Sequence, residues 1–215
     1  MPGRRVRACC RPRATSIRLR TVRLYACVWK TGRVGRLNAE DWARAALEAL
    51  AEGGLAAVAV EPVAVRLGTT KGSFYWHFAN RRALVEAALA LWEAGTEEII
   101  AGLLEISDPV LRMRTLLEFA FGDPVDAGIA FRLISAADDP LAAETARRVS
   151  VRRLEFMQAA LEEAGQPPDL ARGRAVAGYS VYLGMAALHR VGAVDEPIGS
   201  FMDLALSEMG LTSSR

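Results

Sequence analysis

Cysteine is missing from everything beyond residue 27: Cys9, Cys10 and Cys27 account for all 3 in the 215-residue chain. Cys9–Cys10 lacks the C-x-x-C spacing of a zinc or redox pair, and the nearest histidine is His77, so no metal site is expected. A cysteine-free body fits a reducing cytosol, and a cytoplasmic location is the expectation. Long apolar runs are missing too. Ala175–Leu188 is the longest, and Gly178, Ser180 and Gly184 interrupt it. It falls short of the roughly 18–20 residues a bilayer demands, which argues against a membrane partner. Leu24–Trp29 is shorter than the roughly 7–15 apolar residues of a signal peptide, so no secretion signal is read. No alternating strand pattern is found; Leu55–Val60 is too short and too rich in alanine. Neither a nucleophile–base pairing nor a glycine-rich phosphate loop is present, and the chain is read as a non-enzyme without a cofactor.

Acidic residues are absent from the first 35 positions, which hold 10 of the 27 basic residues. The remainder, from Arg36, therefore carries 17 basic against all 25 acidic residues, a net of −8 beneath the overall +2. Residues 1–35 are read as a basic, disordered extension on an acidic, globular body. One reading makes the extension a flexible arm that adds phosphate or minor-groove contacts. The other makes it a stretch ahead of a true start near Val28 or Val34. Confinement of cysteine to it, its lack of acids and its weak periodicity favour the second.

The body, about 180 residues long, suits one domain or two small ones. Its first helical pattern begins at Asn38, with Trp42, Ala45, Ala46, Ala49 and Leu50 on one face and Gly53-Gly54 as the stop. A second, short helix is expected over Glu61–Leu67, with Gly68 as a left-handed stop. A third is expected over about Thr70–Trp76. Asn80 then caps a long fourth helix reaching toward Ile106. Asp108-Pro109, Asp139-Pro140 and Asp195-Glu196-Pro197 read as helix starts. Further helices are expected near 109–121, 125–136, 140–164, 168–190 and 196–209. The fold class is all-α: an N-terminal three-helix unit joined by a long fourth helix to a C-terminal helical bundle.

Three short helices and a long one, with a glycine turn between the second and third, describe a helix-turn-helix, whose later helix enters the DNA major groove. Phe74 and Phe78 anchor one face. Thr70, Lys71, Ser73 and Tyr75 offer polar groups outward, and Lys71 is suited to guanine O6 and N7. Gly72 lets the backbone come close to DNA. Between Pro62 and Val85 stand Arg66, Lys71, Arg81 and Arg82 with no acid, a local +4. Positive charge at Arg81 and Arg82 opposes the helix dipole, which points to a phosphate partner.

Leu67-Gly68-Thr69-Thr70-Lys71-Gly72-Ser73-Phe74-Tyr75-Trp76-His77-Phe78, followed by Asn80-Arg81-Arg82-Ala83-Leu84, resembles the signature of tetracycline-repressor-type (TetR family) transcriptional regulators. The resemblance covers roughly Arg36 to Glu97 and implies a DNA-binding domain over 36–96, with its motif at about 59–78. It implies that Thr70, Lys71, Gly72, Tyr75 and Trp76 face a double-stranded operator, and that Tyr75, His77 and Arg81 touch phosphates. It further implies a homodimer, most often a repressor released by a small molecule, with residues 97–215 binding that effector and dimerising. Two positions depart from the pattern. Val60-Glu61-Pro62 replaces the usual Ser or Thr and basic residue, and Thr69 stands where Val or Ile is common.

In the C-terminal part, Trp92, Phe119, Phe131, Met157, Tyr179, Tyr182 and His189 could line an effector pocket, each being more often plain core. The small residues of Ala175–Leu188 suit a dimer seam, formed by the helices near 168–190 and 196–209 across a two-fold axis. The alternative class is a helical ligand carrier or small enzyme using a helix-turn-helix as scaffold.

Overall fold

A computed structural model describes residues 37–122, 124–195 and 201–211 of the chain. Among them the fold is all-α, with no strand. The basic extension lies outside the described residues.

Helix α1 (Ala39–Gly53) starts where the sequence places its cap. Asn38 Oδ1 accepts from the Asp41 N–H at 3.0 Å, and the Asp41 carboxylate accepts from the Asn38 N–H at 2.9 Å. This reciprocal capping box satisfies two otherwise orphaned donors. Trp42, Ala45, Ala46, Ala49 and Leu50 are all buried, as their spacing predicts. A single 3₁₀ turn, Leu55–Ala57, occupies the alanine-rich stretch before α2 (Val60–Arg66). Gly68 then takes a φ of +64°, the left-handed conformation that makes the sharp turn into α3 (Lys71–Phe74).

Helix α3 is shorter than the expected Thr70–Trp76. The chain tightens there into i→i−3 bonds, Trp76 N–H to Ser73 O and His77 N–H to Phe74 O, so Tyr75–His77 form a turn. Phe74, fully buried, packs edge-on against Trp42 at 5.5 Å and stacks on Phe78 at 5.7 Å. These aromatic contacts pin the short helix to α1.

Helix α4 (Arg81–Leu104), capped by Asn80 Oδ1 accepting from the Ala83 N–H at 3.0 Å, packs on α1 and continues into the body. There α5 (Pro109–Gly122), α6 (Pro124–Ser135), α7 (Pro140–Glu163) and α8 (Pro168–Arg190) follow. Each opens on a proline at its first position, where a missing N–H costs nothing. Helix α9 (Met202–Glu208) is shorter than the helix expected over 196–209; residues 196–200 lie outside the described ones. Helix α6 packs on α1, α7 and α8, and α7 packs on α4, α5 and α8. Three polar pairs join α4 to α7: Glu93 with Arg148 at 2.7 Å, Glu97 with Arg152 at 3.0 Å, and Thr96 with Arg153 at 3.0 Å.

Gly128 lies where α6 crosses the last turn of α1. A Cβ there would stand 3.4 Å from Ala51 O and 3.5 Å from Ala51 Cβ. Alanine fits that space, but a branched side chain does not. Gly128→Val is expected to lower the stability by about 1–3 kcal/mol, and Gly128→Ala to leave it equal or slightly higher. Urea unfolding of the two variants checks this; a Val variant as stable as the wild type would show that α1 and α6 separate freely.

Candidate functional site

The turn Gly68–Thr70 presents α3 on the outside of the three-helix unit. Thr70, Lys71, Gly72, Tyr75 and Trp76 are exposed, with Trp76 at 83% and Tyr75 at 59%; Ser73 and His77 are half-buried. Two large aromatics held in water by a buried Phe74 are unexpected on a face without a partner. The seven residues from Thr70 to His77 that the sequence singles out, Phe74 apart, thus lie on one short stretch of surface.

The local charge is less free than its count implies. Lys71 Nζ donates to Glu61 at 2.7 Å, Arg66 pairs with Glu52 at 2.5 Å and Glu48 at 3.3 Å, and Arg82 pairs with Glu86 at 2.9 Å. Acids just outside Pro62–Val85 therefore reach three of the four cations. The hydrogen bond and charge of Lys71 hold the Glu61 carboxyl below its ordinary range, and Glu61 raises Lys71 in return. Arg81 is engaged differently. Its Nε donates to Val58 O at 2.5 Å and its Nη2 donates to Leu55 O. It closes the carbonyls of the 3₁₀ turn, which gives its position a structural cause besides any phosphate.

In the body, the residues singled out as pocket lining divide into two places. Phe131, Tyr182 and His189 line a cleft of about 590 Å³ together with Ala51, Phe121 and Met185. The cleft is bounded by α5, α6, α8 and the last turn of α1, and it is mostly apolar. Trp92, Tyr179 and Met157 are buried among the helices, and Phe119 is half-buried on α5.

Behind the cleft sits a buried polar cluster. Asp126 accepts from Trp92 Nε1 at 2.7 Å, Tyr182 Oη at 2.6 Å and Arg153 Nη2 at 2.8 Å. Arg153 also lies over the Trp92 ring at 5.2 Å, and Tyr179 Oη meets Ser150 Oγ at 3.1 Å. Burial alone would raise the Asp126 carboxyl; the charge of Arg153 and the three hydrogen bonds outweigh it and hold the carboxyl below its usual range. Burial, and next the Asp126 charge, push the Tyr182 phenol well above its usual range, so it stays a donor. Asp126 and Arg153 were not among the expected site residues. Arg153 keeps step with the buried Val149, Phe156, Met157 and Ala160 at helical spacing, which is the signal that marks it as inward.

Residues 43–88 match the family model of bacterial regulatory proteins of the tetR family. The chain carries a TetR-family regulatory segment. That segment spans most of α1, all of α2, the turn, α3 and the start of α4, so it contains the exposed surface around Lys71. No curated protein matches the sequence. Among solved structures, a TetR-family transcriptional regulator from Agrobacterium tumefaciens is similar, with a TM-score of 0.68 at 19% identity, over 82% of this chain and 97% of that one. FadR of Bacillus subtilis, solved with stearoyl-CoA, has a TM-score of 0.60 at 14% identity over 81% and 98% of the two chains. AmtR of Mycobacterium smegmatis has a TM-score of 0.56 at 20% identity, over 86% and 92%. The TetR-like fold thus extends through the body, beyond the matched segment. Among the described residues, no helix is long and apolar enough to cross a membrane.

Proposed function

We propose that this TetR-like regulator is a homodimeric repressor that reads double-stranded operator DNA and is released by a small molecule. The exposed stretch Thr70–His77, with Lys71, Tyr75 and Trp76 in water, carries the reading. Thr70, Lys71, Gly72, Ser73 and Trp76 face the groove, and Tyr75, His77 and the remaining donors of Arg81 meet phosphates. Residues 36–96 act as the DNA-binding domain and 97–215 as the effector and dimerisation domain. Two subunits place their recognition helices about one duplex turn apart, or a multiple of it. The effector binds the cleft lined by Phe131, Tyr182 and His189, and it favours a subunit arrangement that no longer matches this spacing.

The dimer seam is assigned to α8 and α9. Val181 and Leu188 are exposed on α8 beside the small Ala177 and Gly184, Val191 just past its end is 73% exposed, and Leu204 is exposed on α9. An apolar face of this kind on two neighbouring helices suits a four-helix packing across a two-fold axis. The double change Val181→Arg with Leu188→Arg is expected to yield monomers in sedimentation velocity and to weaken operator binding at least tenfold. A dimer that persists moves the seam elsewhere. The reading as a whole is tested by sequencing genomic fragments captured by the purified full-length protein. Recovery of a short symmetric site, bound with steeply salt-dependent affinity, is expected. Salt-independent or absent duplex binding would instead favour a ligand carrier.

A further inference from the structure

The roughly 590 Å³ cleft has one end that differs in character from the rest. Its walls are Ala120, Phe121, Ala127, Phe131, Met185 and Ala186, while the end near the last turn of α1 holds His189 and Arg190. Arg132 reaches the same end from α6, donating through Nη2 to the Glu52 carbonyl. The Glu52 carboxylate does not neutralise this group, because it is turned to Arg66 at 2.5 Å. Among the described residues, Arg190 has no acidic partner, and two donor-capable atoms, Arg132 Nε and His189 Nε2, are buried without a hydrogen-bond partner.

Helix ends explain part of this arrangement. The C-termini of α1, α6 and α8 come together here, and cations offset their partial negative charge. Carbonyls do not, however, supply partners for the ring and guanidinium nitrogens left over, and buried donors ordinarily have one. Nor do they keep the two arginines comfortable. Burial first, and then the nearby charge of Arg190, pull Arg132 below the ordinary arginine range. An anion between them answers both conditions.

We propose that the cleft takes an amphipathic organic anion. Its apolar body lies along α6 and α8 against Phe131 and Met185, and its charged head lies at the His189–Arg190 end, where Arg132 adds a third cationic or donor group. A head placed there also touches the last turn of α1 at Ala51 and Glu52, so the ligand bears directly on a helix of the DNA-binding unit. This inference rests on the reading of the cleft as the effector site.

The test uses the full chain and a matched pair of fluorescent probes, 8-anilinonaphthalene-1-sulfonate and its uncharged parent N-phenyl-1-naphthylamine. Arg190→Gln, a change at an exposed side chain, is expected to weaken the sulfonate about tenfold and leave the uncharged probe unchanged. Dodecanoate is expected to displace the sulfonate at least tenfold more effectively than dodecanol. Ala186→Phe, which fills the cleft, is expected to weaken both probes. Equal effects of Arg190→Gln on both probes, or on neither, overturn the anionic head while the cleft stands. Unchanged binding of both probes to a folded Ala186→Phe protein overturns the cleft reading itself.

Discussion

Asp126→Ala is expected to lower the unfolding free energy by about 3–5 kcal/mol, because it strands a buried arginine. In the native protein Arg153 has Asp126 at 2.8 Å and Thr96 at 3.0 Å, and both side chains of the ion pair are largely shielded from water. Alanine removes the counter-charge and also orphans the Trp92 indole and the Tyr182 hydroxyl, which donate to the same carboxylate. The cost therefore reflects what is left behind more than the strength of the pair itself. Replacing both charges, as in Asp126→Leu with Arg153→Met, should recover most of the loss, since apolar groups of similar volume need no partners. Urea unfolding at one fixed protein concentration measures all three proteins; a single-variant loss under about 1 kcal/mol would show that water reaches Arg153. The pH dependence has a definite sign. A carboxyl held below its ordinary range stabilises fully above the unfolded value, near pH 4, and loses that contribution as pH falls through its folded value. The gap between wild type and Asp126→Ala should thus be flat at neutral pH and shrink below about pH 4.

For DNA, the expected large effect is at Lys71. Its removal should weaken operator binding roughly tenfold to a hundredfold and relax preference at one base pair. Glu61 should act with the opposite sign. The two are paired at 2.7 Å across the turn that presents α3, so Lys71 meets DNA with one of its three donors engaged and a negative charge beside it. That carboxylate also sits in the first turn of α2, on the exposed side. Glu61→Gln is expected to tighten binding to every duplex several-fold, and to narrow the gap between operator and unrelated DNA. Anisotropy titrations over a range of salt separate the possible roles. A base contact at Lys71 leaves the salt slope nearly unchanged, whereas a phosphate contact lowers it by about one unit. Unaltered affinity in Lys71→Ala would take Lys71 out of the reading role, and unaltered affinity in Glu61→Gln would take Glu61 out of the competing one.

Helix positions were readable wherever the signal was local. The Asn38 and Asn80 caps, the proline starts at 109 and 140, and the Gly68 turn are decided by a few neighbouring residues, and the helices begin where those residues lie; the start read at Pro197 lies outside the described residues. The length of α3 was not local. Thr70 to Trp76 has a helical look, but the buried Phe74 and Phe78 draw the chain into a tighter turn after Phe74. Charge counting had the same limit. Glu48, Glu52, Glu61 and Glu86 lie outside the window that shows +4, and folding returns them to its cations. Asp126 escaped notice because it follows Pro124 and looks like an ordinary acidic first turn. Only the tertiary approach of Trp92, Arg153 and Tyr182, from three other helices, makes it a hub. The aromatic set of the body mixed residues that line the cleft with residues that wall off this hub, and spacing along one helix does not distinguish them.

The three pairs between α4 and α7 act as a ratchet lock. Glu93 and, one turn further on, Thr96 and Glu97 meet Arg148, Arg153 and Arg152 on the other helix. An axial slip of one helical turn, about 5.4 Å, would break all three at once, whereas a tilt of the portion before Trp92 would break none. The lock therefore opposes sliding of α4 along α7, while tilting of the portion before Trp92 is opposed by none of these three pairs.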